Sequence, residues 1–253
     1  MFSPEGPTLR ELAVQALSSV ERGYDLLAPK FDHTPFRTPD SVLDAVAAAL
    51  ARTGPFDAGL DLCCGTGAGV DVLAWLCRRS VTGVDFSAGM LDVARERTRP
   101  AGPRIDFVRA DARALPFTSA FDLVVSFGAF GHFLPAELPG LFAQVHSVLR
   151  PGGRFAFPIV APPRPASCAY WTLLGFDAVM RVRNAVWRPP FVMYYRAFRL
   201  GEVRRELERA GFEVELQALP EFGRRRDGSP RVRMVVARRQ PPGAPRAPCP
   251  PRN

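Results

Sequence analysis

Along this chain the apolar positions change period several times, and each change marks an element. Residues 8 to 22 place Leu9, Leu12, Ala13, Ala16, Leu17 and Val20 at helical spacing. Residues 40 to 52 do the same with Val42, Leu43, Val46, Ala49 and Leu50 behind an N-cap at Asp40 or Ser41. From residue 58 short apolar runs alternate with helical periods, predicting strands over 58–63, 81–85, 105–110, 121–127 and 153–160 and helices over 67–78, 87–98 and 135–149. Strands that read as continuous apolar runs are covered on both faces, so the pattern predicts a mostly parallel sheet with helices on either side. A helix over 200–210 ends at Gly211 and leads to strands over 212–219 and 231–238, joined through Gly223 and Asp227-Gly228. That terminal hairpin makes seven strands and requires one of them to run antiparallel.

Two stretches break the rhythm. Pro162, Pro163 and Pro165 open residues 161–198, Pro189-Pro190 interrupts them, and Tyr170, Trp171, Phe176, Trp187, Phe191, Tyr194 and Tyr195 crowd them. This reads as an insertion placed over a ligand cleft. From residue 241 the chain is proline-rich and lacks the apolar residues to pack, which predicts a disordered tail over 241–253. The expected organisation is one domain over 1–240, with residues 1–53 as a helical cap.

Composition narrows the classes. At 253 residues the chain is long enough to bury a large core without disulfides or metal. Its five cysteines form no C-x-x-C pair, which suggests neither a disulfide framework nor a zinc site and fits a reducing, cytoplasmic setting. No stretch reaches the roughly 20 apolar residues of a membrane span, and the N-terminus has no leader pattern. The net charge of +8 is uneven: residues 1–160 carry 15 basic and 17 acidic side chains, residues 161–253 carry 18 and 8. An anionic partner or a background preference for Arg both account for that asymmetry.

Candidate chemistry centres on Leu60-Asp61-Leu62-Cys63-Cys64-Gly65-Thr66-Gly67-Ala68-Gly69, a strand that stops at three alternating glycines before a helix. Such a turn lets backbone approach a nucleotide-like cofactor closely. A dinucleotide fingerprint needs G-x-G-x-x-G, yet position 70 is Val, which argues against NAD. Asp85, ending the second strand, suits two ribose hydroxyls, and Asp111, ending the third, suits an exocyclic amine such as that of adenine. Cys63 and Cys64 read as strand-end packing residues.

With Gly83-Val84-Asp85-Phe86-Ser87, Ala110-Asp111-Ala112, Phe121-Asp122-Leu123-Val124-Val125-Ser126 and Arg150-Pro151-Gly152-Gly153 following in order, the chain resembles the class I S-adenosylmethionine-dependent methyltransferases, in particular the small-molecule group that includes ubiquinone and menaquinone biosynthesis enzymes. The resemblance implies a Rossmann-like fold and S-adenosylmethionine as cofactor. It implies that Gly65, Thr66 and Gly67 pass beneath the methionine part, that Asp61 orients that end, and that Asp85 holds the ribose. It further implies that Asp111 and the Ala112 N–H meet the adenine, that Phe86 packs on its face, and that Ser126 presents backbone to the methionine amino group.

Two more residues are candidates. His132 falls near the expected cleft mouth as a general base, although methyl transfer needs little beyond alignment. Tyr24 either closes over the methionine carboxylate or packs in the core. Ser126-Phe127-Gly128-Ala129-Phe130 forms an apolar floor where amino-directed nucleic-acid enzymes carry Asn/Asp-Pro-Pro-Tyr/Phe, so a small apolar or aromatic acceptor is expected over nucleic acid. A non-catalytic cofactor-binding protein and an RNA methyltransferase are the alternatives.

Overall fold

The computed structural model describes residues 5–34, 36–99, 102–161, 163, 167–186 and 200–241. Strands β1 (Phe56–Leu62), β2 (Cys77–Asp85), β3 (Arg104–Arg109), β4 (Phe121–Val125), β5 (Leu149–Val160), β6 (Phe212–Ala218) and β7 (Val232–Arg239) form one sheet in the order β3-β2-β1-β4-β5-β7-β6. Strands β1 to β5 pair in parallel, while β7 runs antiparallel to both β5 and β6. The single reversed strand expected from the terminal hairpin is therefore β7, inserted inside the sheet.

Helices cover both faces because successive side chains of each buried strand point to opposite sides. On one face Leu60, Val124, Phe155 and Val235 pack against Leu141, Phe142 and Val145 of α6 (Leu138–Val148) and Val203 and Leu207 of α8 (Leu200–Arg209). On the other, Leu123, Val125, Ala156 and Met234 meet Val46 and Leu50 of α3 (Asp40–Ala51) and Val70 and Leu73 of α4 (Ala68–Leu76). Between β2 and β3 lies α5 (Ala88–Arg97).

Local chemistry moves several expected boundaries. The helix expected over 8–22 is two: α1 (Leu9–Leu17), opened by a capping box between Thr8 and Glu11, and α2 (Val20–Leu27). The break comes at Ser18-Ser19, where extended Ser19 accepts the Arg22 N–H on its hydroxyl at 3.3 Å. Strand β2 begins at Cys77 directly after α4, four residues before its expected start, and β5 begins at Leu149 and absorbs the Pro151-Gly152-Gly153 turn as a register shift against β4.

The insertion opens with α7 (Cys168–Val186), on which Tyr170 and Trp171 stack edge to face at 5.5 Å. Trp187, Phe191, Tyr194, Tyr195 and the tail from residue 242 lie outside the described residues. No described helix is long and apolar enough to cross a membrane.

Phe155 is fully buried in a ring cluster with Phe130, Phe142 and Phe157. Phe155→Ala is expected to cost about 3–5 kcal/mol of stability, lowering Tm by on the order of 10 °C in a thermal melt.

Candidate functional site

At the C-terminal end of β1 the chain turns sharply. Cys63 takes φ +57, Gly65 φ +52 and Gly67 φ +93, the last capping α4. Left-handed backbone suits glycine, which has no Cβ to clash. Neither glycine offers its N–H outward: Gly65 donates to Asp85 Oδ2 at 2.9 Å and Gly67 to the Cys64 carbonyl at 2.9 Å. A pyrophosphate would need such donors. These two donors are used within the fold.

Asp61 lies below this loop, 1% exposed, and neither carboxylate oxygen has a hydrogen-bond partner among the described residues. Burial pushes its pKa up to about 8, the charges of Asp85 and Asp71 add to the rise, and the Val70 N–H, outside hydrogen-bond geometry, offsets little. Gly69 makes the approach possible, since a Cβ there would lie 2.5 Å from Asp61 Oδ2 and 2.7 Å from Phe127. The third glycine of the motif thus serves packing around a carboxylate. An unpartnered buried acid in this position fits a cationic ligand group.

Asp85 is also buried, with its pKa raised by desolvation against the pull of backbone N–H groups. Its Oδ1 accepts from Ser87 N–H at 3.0 Å while Oδ2 takes Gly65, so it ties the glycine loop to the start of α5. Ser126 is buried, donating its hydroxyl to the Leu62 carbonyl at 3.0 Å and its N–H to Ala156 at 3.3 Å. Ala112 is buried beyond β3, whereas the half-exposed Asp111 carboxylate accepts from the Arg113 N–H at 2.9 Å and pairs with its guanidinium.

Residues of the N-terminal segment contact these strand ends. Tyr24 Oη lies 2.9 Å from His132 Nε2, with donor and acceptor set by the imidazole tautomer, so two candidates proposed separately form one pair. The Tyr24 ring also meets Phe31 and Phe86 edge on, at 6.4 and 6.5 Å. Thr66 donates its hydroxyl to Asp32 at 2.7 Å, and Asp32 in turn pairs with Arg37 and Arg97. Asp25 accepts from the Ser87 hydroxyl at 2.6 Å and the Gly89 N–H at 3.0 Å, an acid placed at the N-terminus of α5.

Neither Asp25 nor Asp32 was marked as a candidate by the sequence. Apart from Arg37 beside Asp32, their partners lie more than 30 residues away, and the only local sign is an acid on an otherwise amphipathic run. Cys63 and Cys64 behave as packing residues, with burial pushing both thiols up. Among the described residues no group of His, Cys, Asp and Glu could hold a metal.

Residues 60–153 match the family model of a methyltransferase domain. The chain is 34% identical over 149 residues to a 2-phytyl-1,4-naphtoquinone methyltransferase of Nostoc punctiforme, covering 55% of this chain and 62% of the relative. It is 38% identical over 109 residues to a demethylmenaquinone methyltransferase of Thermus thermophilus, covering 41% and 47%. The chain therefore spans about half to three fifths of these relatives. The fold of the solved DhpI–SAH complex superposes with a TM-score of 0.64 at 20% identity, covering 92% of this chain and all of that one. The Rossmann-like architecture expected for the methyltransferase domain is the one observed.

Two outcomes follow from the Asp61 environment. Gly69→Ala is expected to cost about 1–3 kcal/mol by overpacking, measured by denaturant unfolding. The folded chain also keeps a proton on Asp61 that the unfolded chain, with an ordinary value of 3.8, releases. Stability should therefore fall as pH rises from about 4 to about 8, and Asp61→Asn should flatten that decline in melts across the range.

Proposed function

We propose that the protein is an S-adenosylmethionine-dependent methyltransferase acting on a small molecule. The carrying observation is Asp61, a buried carboxylate without a hydrogen-bond partner among the described residues, beneath a glycine loop whose Gly65 and Gly67 N–H groups are already bonded. That arrangement suits the cationic methionine end of the donor. S-Adenosylmethionine, when bound, supplies a methyl group on a positively charged sulfur, which an acceptor O, N, S or C displaces in line to leave S-adenosylhomocysteine.

The residues divide the remaining work. Asp61 gives up its proton and faces the ammonium, while the Ser126 backbone orients the same end. Asp85 has lone pairs beyond those filled by Gly65 and Ser87 and accepts from the ribose hydroxyls. Asp111 and the Ala112 N–H meet the adenine edge, and Phe86 covers its face. Tyr24 closes the cap against water and holds His132, whose ring is placed to take a proton from an acceptor hydroxyl.

The relatives named for quinone acceptors support an apolar or aromatic small molecule, as does the apolar run Phe127-Gly128-Ala129-Phe130 after β4. We read residues 1–53 as the cap and 161–198 as the acceptor-side insertion of one domain. Free thiols at Cys63, Cys64 and Cys77 support a reducing, cytoplasmic setting.

Calorimetric titration with S-adenosylmethionine and NAD tests this reading. Expected are micromolar-range binding of the methyl donor, none of NAD, and loss of donor binding in Asp85→Ala. Because the donor needs Asp61 ionised, affinity should rise with pH toward 8 by up to about tenfold per unit and be flat in Asp61→Asn. PH-independent binding in both proteins would overturn the role of Asp61. Binding without methylation of any member of a broad acceptor panel would favour a non-catalytic binding protein.

A further inference from the structure

A cleft of about 520 Å³ lies away from the glycine loop, lined by Val160, Ala161, Arg224, Arg225, Arg226 and Arg231. Four of its six lining residues are arginines. Two strands contribute: β5 ends at Val160, which pairs with Val232 at the start of β7, and the loop before β7 carries the arginines. Bonds to backbone fix that loop, since Arg224 and Pro230 bridge, Arg225 donates its N–H to the Ser229 carbonyl at 2.8 Å, and Arg231 donates its own to Gly223 at 3.2 Å.

The guanidinium groups are likewise held by carbonyls. Arg224 Nη1 donates to the Gly228 carbonyl at 2.9 Å and Arg231 Nε to the Arg224 carbonyl at 3.2 Å. These contacts position the side chains and leave their charge uncompensated. Among the described residues no carboxylate comes within ion-pairing distance of Arg224, Arg226 or Arg231. The acid within the arginine run, Asp227, is occupied by the Ser229 N–H at 3.0 Å and hydroxyl at 2.6 Å, which hold its pKa below the ordinary value. Each arginine retains donors in a planar fork suited to carboxylate or phosphate oxygens.

Position ties this cleft to the methyl-transfer site. Asp61 stands in register with Val125, and Val125 with Ala156, so β1, β4 and β5 end on one rim of the sheet. Val160 lies four residues past Ala156, about 13 Å along β5, and two strands over from Asp61, about 10 Å across. An acceptor whose reacting end meets the donor above β4 can reach the arginines with its far end.

The geometry points to an anion subsite: the Val160–Arg231 cleft binds a carboxylate or phosphate at the distal end of the methyl acceptor, which is then an apolar or aromatic molecule with an acidic tail. This rests on the methyltransferase reading above. It also gives the basic C-terminal third a local purpose, since residues 1–160 hold nearly balanced charge and present no general polyanion surface. A concave cleft of this size suits a small-molecule group better than a nucleic-acid backbone.

Binding to the full chain in the presence of S-adenosylhomocysteine tests it without requiring turnover. The calorimetric probes are 6-phenylhexanoate, its neutral amide, 5-phenylpentyl phosphate and a 12-nucleotide single-stranded RNA. The carboxylate or the phosphate should bind at least about tenfold more tightly than the amide, and whichever is preferred identifies the tail. That preference should weaken with salt and disappear in Arg226→Ala/Arg231→Ala. The exposed single variant Arg226→Ala should reduce it without disturbing the loop bonds of Arg231. Equal binding of acid and amide, or a preference that survives both variants, overturns the subsite. RNA binding that the variants abolish, without acid preference, overturns it in favour of nucleic acid. Donor binding by the same variants should match wild type, so a failure of the cofactor reading would appear as lost donor binding in every protein, independent of the arginines.

Discussion

A carboxylate buried without a partner is the constraint around which this site is arranged. Asp61 sits near the C-terminal end of β1, inside the sheet, where burial from water disfavours its charge by several kcal/mol in typical proteins. Gly69 and Phe127 crowd it, and the Gly65 and Gly67 N–H groups are bonded elsewhere. In the proposed function a cation arriving there replaces a proton, so the buried acid becomes its point of recognition.

Whereas α3 packs into the main core, the segment over α2 and the short turn after it is joined to this centre by polar contacts more than by apolar area. Tyr24 reaches His132, Asp25 reaches the start of α5, and Asp32 reaches Thr66 of the glycine loop. Its own apolar cluster is small, consisting of Tyr24, Ala28 and Met90 with a few partly buried neighbours. A layer attached by few buried apolar contacts opens at lower free energy than the sheet below it. Under the proposed function, ligand entry past this segment would leave β1, β4 and β5 fixed.

How far these features were legible in the sequence depends on the range of the interaction. The five parallel strands were legible because buried strands declare themselves as unbroken apolar runs, and the reversed β7 because a hairpin turn preceded it. Ser18-Ser19 hid a helix break, since apolar spacing continues across it while the hydroxyls cap the next helix. The start of β2 was hidden because Cys77-Arg78-Arg79 follows α4 with no turn residue between. In the site, Asp61 and Asp85 stood out by their place at strand ends. The use of the Gly65 and Gly67 N–H groups did not, because it depends on loop geometry, and the pairing of Tyr24 with His132 spans 108 residues that no local pattern connects.

Strand order also bears on how the chain is made. β7 is the last strand in sequence yet lies between β5 and β6. While the chain emerges from the ribosome, β5 keeps an open hydrogen-bonding edge until Arg239 has appeared, and β6 has nothing to pair with. Exposed edges of that kind invite pairing with other chains. The nascent protein thus passes through a late, vulnerable stage in which the helices and the glycine loop can already be in place, and the rim that carries the arginines takes shape only as the final strand slots into a gap left for it.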